Sequence, residues 1–390
     1  MAGTRTGEFR ELISPFLLRK MEEARSTFGV SSGQSRALTL QYVKSEQETI
    51  IREEERRRHY EAEVQISFER APVVGVERLY RRTILVEPTT VCAAHCRWCL
   101  RGQYPVQTLT EAQIRHATRY MGSPAVRDDL DEVLITGGDP LMSLPILAFT
   151  LSELARNAPN IQTVRVGTRV PFQAPERISD DLLATFRRYK EFRFEIGVNV
   201  NHPVEFWPES VESLRRLRDV GIRLYNQHPL LKGVNDDLQT LTELYSLLRR
   251  HDIEAHYLFH AIPLRGMSHH RTSLARGARL AAALGSCGEF SGRAKPRYAV
   301  LSDVGKIVIY HGVVLERREI DNALLLQSAF RLEDRLRWNP AWQVPPDVAV
   351  DDEGYMRTWY LDGRDDGEDE PEGGDVEVTD VNAPSGQSGP

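Results

Sequence analysis

The chain is poor in the features that mark secreted and membrane proteins. It has only four cysteines in 390 residues, and it contains no apolar run near the roughly 18 residues that a membrane-spanning helix requires. Few cysteines argue against a disulfide-stabilised extracellular fold. The N-terminal residues also lack the apolar core of a secretory signal peptide. We therefore expect a cytoplasmic protein with no membrane partner.

Positive charge is scarce at the C-terminal end. From Asp362 onward the sequence has ten acidic residues against the single base Arg364, so residues 1–361 carry a net charge of +3 although the whole chain carries −6. A nearly neutral body argues against polyanion binding, and we expect no nucleic-acid partner. Residues 362–390 are rich in Asp, Glu, Gly, Ser and Pro, which predicts a disordered acidic tail.

Three of the four cysteines stand close together. Cys92, Cys96 and Cys99 have a C-x3-C-x2-C spacing and directly follow a strand-like run, Thr83–Val86. Three thiolates on one loop can bind three irons of a [4Fe-4S] cluster and leave the fourth iron open. A structural zinc site usually needs a fourth Cys or His ligand, and Cys287 has no partner at such a spacing. The triplet therefore favours an iron–sulfur cluster with an open iron.

Strand-like apolar runs alternate with amphipathic helical segments. The predicted strands are Thr83–Glu87, Glu132–Thr136, Thr163–Thr168, Arg193–Val200, Arg223–Gln227 and Glu254–Ala261. The predicted helices are Glu111–Met121, Pro145–Asn157, Asp180–Tyr189, Pro208–Asp219, Leu238–Arg250 and Thr272–Ala283. Such units predict a parallel barrel or partial barrel with its site at the C-terminal ends of the strands. Two further strands are predicted at Arg297–Leu301 and Lys306–Tyr310.

A glycine-rich turn follows the second predicted strand. Gly137 and Gly138 allow a ligand to approach the backbone, and the carboxylate of Asp139 is able to accept a hydrogen bond from an ammonium group. Trp98, beside Cys99, fits either a shield for the cluster or ordinary core packing.

The triplet and the Gly-Gly-Asp turn resemble the signatures of the radical S-adenosylmethionine (SAM) superfamily. Later strings resemble the lysine 2,3-aminomutase family in the same order, namely Val166–Pro171, Val200–Pro203, Asn226–Asp236 and His270–Thr272. The resemblance implies an α/β fold, a partial (β/α)6 barrel of the radical SAM type with an N-terminal helical region and a C-terminal extension. It implies that the cysteines bind a [4Fe-4S] cluster that cleaves SAM to a 5′-deoxyadenosyl radical. The implied SAM contacts are Trp98, Gly137, Gly138, Asp139, Arg169 and His202.

The family's second cofactor is pyridoxal 5′-phosphate (PLP), and the resemblance implies a lysine that holds it. Lys306 is the candidate catalytic lysine, because the string from Ser291 to Ala294 and the residues after it resemble the family's approach to that lysine. Lys295 is the weaker alternative among the six lysines of the chain. The other implied PLP contacts are Tyr80, Arg82 and Gln227. Two departures weaken the PLP assignment: Leu79 replaces a phosphate-binding arginine, and the turn before Lys306 is poorer in glycine.

Residues at the expected substrate site bear on which amino acid the protein takes. Arg101 matches the arginine that pairs with the substrate carboxylate in the family. Lysine-specific members place two aspartates on the distal ammonium, and the matching positions here are Ile262 and Leu301. Because apolar side chains cannot stabilise a buried ammonium, we expect a substrate other than free lysine.

Two functions follow from the resemblance. The first is a PLP-dependent amino-acid 2,3-aminomutase, an isomerase; the alternative is a PLP-independent epimerase, dehydrogenase or dehydratase of specialised metabolism. A non-catalytic iron–sulfur protein is disfavoured, because it would not need the SAM-contacting strings. Expected partners are a small-molecule substrate and an electron donor such as flavodoxin or ferredoxin, with homo-oligomer formation left open. The predicted regions are a mainly helical part at 1–78, the barrel at 79–290, C-terminal strands and an extension at 291–361, and the tail.

Overall fold

The computed structural model describes residues 9–52, 66–103, 106–289 and 295–365, with the backbone alone at Arg101 and Gln103. Two N-terminal helices, α1 (Pro15–Phe28) and α2 (Gly33–Tyr42), precede a small hairpin of β1 (Ser67–Phe68) and β2 (Ala71–Pro72). Ser14 starts α1 by accepting the Leu17 N–H at 3.1 Å, and Pro15 fits the first helical turn because it has no N–H to leave unpaired. Apolar side chains of both helices pack together against Ala94 in the cysteine loop.

A curled sheet of nine strands forms a half-barrel, in which spatial order follows chain order. Its strands are β3 (Val76–Glu77), β4 (Thr83–Thr89), β5 (Glu132–Gly137), β6 (Thr163–Thr168), β7 (Arg193–Val198), β8 (Arg223–Leu230), β9 (Glu254–His260), β10 (Arg297–Ser302) and β11 (Gly305–Val308). Strands β4 to β10 are parallel, while the edge strands β3 and β11 pair antiparallel with their neighbours. The predicted partial barrel is confirmed.

Helices follow the parallel strands and cover the outside of the sheet. They are α3 (Glu111–Met121), α4 (Leu144–Asn157), the short α5 (Val170–Gln173), α6 (Asp180–Arg188), α7 (Pro208–Asp219), α8 (Leu238–Arg250) and α9 (Leu274–Ser286). Along β5, the fully buried Val133 and Ile135 alternate with the partly exposed Glu132 and Leu134. Because successive side chains of a strand point to opposite faces, the second pair lies on the inner face of the curl.

The C-terminal part forms a second, antiparallel sheet. Its strands are β12 (Val314–Arg318), β13 (Ala323–Arg331), β14 (Val348–Val350) and β15 (Tyr355–Leu361), in the order β12-β13-β15-β14, and helix α10 (Leu332–Trp338) follows β13. Asp362 is buried, and Asp365 accepts the Ser273 N–H at 2.9 Å. The first four residues of the predicted tail, 362–365, are therefore packed against the rest of the chain. Residues 366–390 lie outside the described part. None of the helices described is long and apolar enough to cross a membrane.

Candidate active site

The cysteine loop leaves the C-terminal end of β4 and carries the three predicted cluster ligands. Their thiols are partly exposed, and none forms a disulfide. The Cys99 N–H donates to the Cys96 carbonyl at 3.1 Å, which closes a tight turn between these two ligands. Burial raises the pKa of the Cys92 thiol, and the neighbouring Cys99, Asp139 and Cys96 add to the shift. The fold thus brings Cys92, Cys96 and Cys99 together.

The donor set fits a cube-shaped iron–sulfur cluster. Such a cluster presents its irons at separate corners, so its three thiolates need not converge on one point. In the part of the chain that the structure describes, no three Cys, His, Asp or Glu side chains converge on a site for a single metal ion. Two donors point at the Cys96 sulfur, Arg169 Nη1 at 3.0 Å and Gln173 Nε2 at 3.4 Å. Hydrogen bonds to sulfur help to set a cluster's reduction potential.

Arg169 lies at the centre of a buried polar network beside Cys96. Its Nη2 donates to Glu205 Oε2 at 2.6 Å and to Gln41 Oε1 at 3.2 Å. The guanidinium also lies 5.2 Å from the centre of the Trp98 ring, a distance at which cation–π attraction acts. Burial alone would lower the pKa of Arg169, but Cys96 and Glu205 outweigh it and raise this pKa. Arg169 therefore places a fixed positive charge beside the Cys96 sulfur.

The carboxylate of Asp139 faces the end of β6 and is fully engaged there. It accepts hydrogen bonds from Thr168 Oγ1 at 2.8 Å, from the Arg169 N–H at 2.7 Å and from the N–H groups of Val170 and Leu141 at 3.1 Å each. Burial raises the pKa of Asp139, although these hydrogen bonds favour the charged form. Asp139 therefore anchors the loop after β5 to the start of α5, and a direct contact with SAM stays a prediction.

Gly137 and Gly138 let this loop touch the cysteine loop. The φ angle of Gly137 is +107°, and a Cβ on Gly138 would lie 2.3 Å from the carbonyl carbon of Thr90. The Gly138 N–H donates to Thr89 O at 2.8 Å, which joins the two loops further. The close approach expected for a ligand is thus made by the cysteine loop itself, and only glycine fits there.

His202 and Gln227 have different surroundings. His202 Nδ1 accepts the Val204 N–H at 3.0 Å, and burial lowers the pKa of this imidazole, so the ring is neutral at pH 7. Gln227 lies on β8, and its buried Oε1 has no hydrogen-bond partner among the residues described. A buried oxygen without a donor is a position where a bound ligand would supply one. Gln227 therefore fits a contact to a cofactor, whereas His202 is held by its own turn.

Lys306 on β11 reaches into the curl between aromatic rings. Its Nζ lies 5.2 Å from the Tyr257 ring centre, 5.5 Å from that of Phe259 and 5.9 Å from that of Tyr80. Burial lowers the pKa of Lys306 from 10.5 to about 8, and the charge of Arg165 adds to the effect. A lysine with such a pKa has a substantial neutral fraction near pH 7, and the neutral amine is the nucleophile.

One predicted PLP contact, Arg82, does not lie beside Lys306. Arg82 is exposed at the start of β4, where its Nε donates to Asp131 Oδ2 at 2.9 Å. Only Tyr80, of the two residues predicted in this stretch, lies next to Lys306. The side chain of Arg101 and the string from Ser291 to Ala294 lie outside the described residues, so the pairing of Arg101 with a substrate carboxylate stays a prediction.

Some residues of the site were not predicted from the sequence. Arg97 is fully buried, donates to Glu48 Oε1 at 2.8 Å and to Phe9 O at 3.0 Å, and so ties the N-terminal segment to the cysteine loop. Gln41 and Glu205 complete the network around Arg169. The sequence could have indicated Arg97 only by its position between Cys96 and Trp98. A charged residue within the cysteine loop needs polar partners if it is buried.

Part of the chain is similar to known proteins. Residues 86–245 match the model of the radical SAM superfamily. Over 243 residues the chain is 35% identical to a protein of Aquifex aeolicus provisionally named L-lysine 2,3-aminomutase, which covers 61% of this chain and 64% of that protein. It is 34% identical over 236 residues to L-lysine 2,3-aminomutase of Methanococcus maripaludis, covering 60% of this chain and 53% of that enzyme.

A glutamate-specific relative is also similar. Glutamate 2,3-aminomutase of Clostridioides difficile is 30% identical over 239 residues, covering 60% of this chain and 54% of that enzyme. The matched part of the chain thus spans 53–64% of the length of these three relatives.

Proposed function

We propose that this chain is a radical SAM enzyme that acts as a PLP-dependent amino-acid 2,3-aminomutase, because residues 86–245 match the model of the radical SAM superfamily and the chain resembles the lysine and glutamate 2,3-aminomutases. When bound, the cluster and SAM supply a 5′-deoxyadenosyl radical that abstracts a substrate hydrogen, and PLP supplies a conjugated ring that stabilises an adjacent radical. The observation that carries the proposal is Lys306, a half-buried lysine beside three aromatic rings with a pKa lowered to about 8.

The residues of the chain act at two places in the curl. On the cysteine loop, Cys92, Cys96 and Cys99 hold the cluster, and Arg169 keeps a positive charge at the Cys96 sulfur. Across the curl, Lys306 holds PLP between turnovers, with Gln227 and Tyr80 as further contacts. A one-electron donor such as flavodoxin or ferredoxin would reduce the cluster.

The substrate is an amino acid other than free lysine. Leu301 stands directly opposite Lys306 in the β10–β11 ladder, so both side chains project from the same face of the sheet. Ile262 follows the end of β9 and is likewise apolar. Neither side chain offers a partner to a distal ammonium, and burying an unpaired ammonium is costly. An amino acid without a cationic end fits this side of the site.

A second candidate is a radical SAM enzyme that acts without PLP as an epimerase, dehydrogenase or dehydratase. Its support is Arg82, whose guanidinium pairs with Asp131 at the surface, together with Leu79 in place of an arginine. Neither residue is available to hold a phosphate at Lys306. This candidate predicts turnover that does not depend on PLP.

The test is a search for β-amino acid products. The full chain, reconstituted anaerobically with iron and sulfide, is given SAM, dithionite, PLP and a panel of α-amino acids, and products are separated by mass spectrometry. We expect one or more β-amino acids that depend on PLP and are absent with Lys306→Ala. Lys295→Ala is the matched control and should keep activity.

Two outcomes would go against the aminomutase. SAM cleavage with a substrate that proceeds equally without PLP, and in Lys306→Ala, would assign the second candidate. Product formation that requires Lys295 and not Lys306 would show that Lys295 is the lysine that holds PLP.

A further inference from the structure

Arg335 on α10 is a fully buried arginine with unused donors. Its side chain is 0% exposed, and Nη2 donates to Val304 O at 2.6 Å. The Nε and Nη1 atoms are buried and have no hydrogen-bond partner among the residues described. Within the same part of the chain, no carboxylate comes within ion-pair distance of Arg335. Buried polar groups are nearly always paired in folded proteins, so two orphaned donors on a guanidinium ask for an explanation.

Two other buried arginines are satisfied. Arg271 donates from Nε to Ala261 O at 2.9 Å and from Nη1 to Asp362 O at 2.8 Å, and its Nη2 also has a carbonyl partner. Arg97 likewise uses all three of its nitrogens. Arg78 lacks a partner only at Nε, so Arg335, with two unpaired nitrogens, is the least satisfied of the buried arginines that the structure describes.

Arg335 lies against the turn that leads into Lys306. A Cβ placed on Gly305 would lie 3.7 Å from Arg335 Nη2 and 3.1 Å from the Phe330 ring, so the glycine keeps this space open. The Phe330 ring is in turn 6.1 Å from the Tyr80 ring, which lies beside Lys306. A cation with free donors therefore lies next to the turn that carries the proposed PLP lysine.

We infer that Arg335 binds the phosphate group of PLP. It would take the place of the family's phosphate-binding arginine, which is replaced by Leu79 in this chain. The inference rests on the proposed function, in which Lys306 holds the aldehyde carbon of the same molecule. A guanidinium donates charged hydrogen bonds to phosphate oxygens, and Nη1, at the end of the Arg335 guanidinium, has its N–H groups free to donate in this way. Arg335 lies on α10, which belongs to the C-terminal extension and not to the barrel. The extension would therefore supply part of the PLP site.

The test compares PLP with pyridoxal, which has the aldehyde and lacks the phosphate. The full chain is titrated with each compound, reduced with borohydride and mapped by peptide mass for the pyridoxyl adduct on Lys306. We expect the unmodified chain to label at much lower concentrations of PLP than of pyridoxal. Arg335→Met should need about ten- to a hundredfold more PLP, the effect of losing a charged hydrogen bond, with pyridoxal labelling unchanged. Arg337→Met, on the exposed side of α10, should match the unmodified chain.

The outcomes separate this inference from the proposed function. If Arg335→Met keeps the full preference for PLP over pyridoxal, Arg335 does not bind the phosphate, although Lys306 remains the PLP lysine. If neither compound labels Lys306 in the unmodified chain, the PLP proposal falls and the inference with it. Should Arg335→Met fail to fold, Arg335→Gln removes the charge and keeps a polar side chain, and an unchanged preference for PLP in that variant would overturn the inference.

Discussion

Cys96 and Lys306 have different surroundings. Arg169 donates to the Cys96 sulfur at 3.0 Å, so a positive charge lies beside one of the predicted cluster ligands. Lys306 lies between aromatic rings, where burial disfavours the ammonium and lowers its pKa to about 8. Its neutral amine, the form that reacts with an aldehyde, is therefore more populated near pH 7 than that of an ordinary lysine.

Cys96→Ala is expected to abolish cluster assembly, because only two thiolates would remain for a cube that needs three protein ligands here. Iron content and visible absorption after anaerobic reconstitution measure the effect. Cys287→Ala is the matched control, since that thiol lies outside the cysteine loop and donates to Leu284 O at the end of α9, at 3.2 Å, and it should keep full iron. Equal iron in both variants would remove the triplet from the cluster.

Asp139→Asn is expected to lower the free energy of unfolding by about 2 kcal/mol, because it weakens charged hydrogen bonds from Thr168 and two backbone N–H groups. SAM affinity should fall as well, since the loop beside the cysteines loses its anchor. Denaturant titration and equilibrium binding measure the two effects. Asp131→Asn, which removes an exposed pair with Arg82, should cost less than about 0.5 kcal/mol. Similar losses in the two variants would show that Asp139 is not an anchor.

Labelling of Lys306 by pyridoxal and borohydride should rise with pH and reach half its maximum near pH 8. The sign follows from the lowered pKa: above it the amine is neutral and reacts with the aldehyde. The same peptide labelled in denaturant should follow an ordinary lysine, half-maximal at about pH 10.4. Coincident profiles in the folded and unfolded chain would mean that burial does not act on this amine.

The helices and strands of the barrel can be predicted because each has a signal in its own stretch of sequence. The predicted bounds of α3, α7 and α8 agree with the structure. Thr110 begins α3 with a capping box to Gln113, a signal contained in four neighbouring residues. By contrast, β12 is exposed along most of its length and lacks the alternation that marks a strand. The sequence therefore predicts only an extension where the structure has the second sheet.

The end of the described chain supports the start of α9. Asp362 Oδ1 accepts the Leu274 N–H at 2.7 Å, and Asp365 accepts the N–H of Ser273. Deleting residues 362–390 should therefore lower the free energy of unfolding by about 3 kcal/mol, through the lost caps and the loss of Asp362 O as a partner of Arg271. Deleting residues 366–390 should change it by less than about 0.5 kcal/mol. Thermal or denaturant unfolding compares the two, and equal losses would place the stabilising contacts in the tail.

At the scale of the whole molecule, the site is assembled from both ends of the chain. Arg169 and Gln41 are 128 positions apart, and their hydrogen bond places α2 over the cysteine loop. Arg335 reaches the Lys306 turn from the C-terminal extension. Such contacts depend on how segments pack in three dimensions, and no local pattern marks them. The cysteine triplet was predictable because its ligands share one loop; the network around Arg169 and the position of Arg335 were not.

The proposed function depends above all on a cluster on Cys92, Cys96 and Cys99 that cleaves SAM. The most direct test is release of 5′-deoxyadenosine from SAM by the anaerobically reconstituted, dithionite-reduced full chain, supplied with PLP and the amino-acid panel. The account predicts 5′-deoxyadenosine and methionine in equal amounts from the unmodified chain and from Cys287→Ala, and none from Cys96→Ala. Release no greater from the unmodified chain than from Cys96→Ala would contradict it.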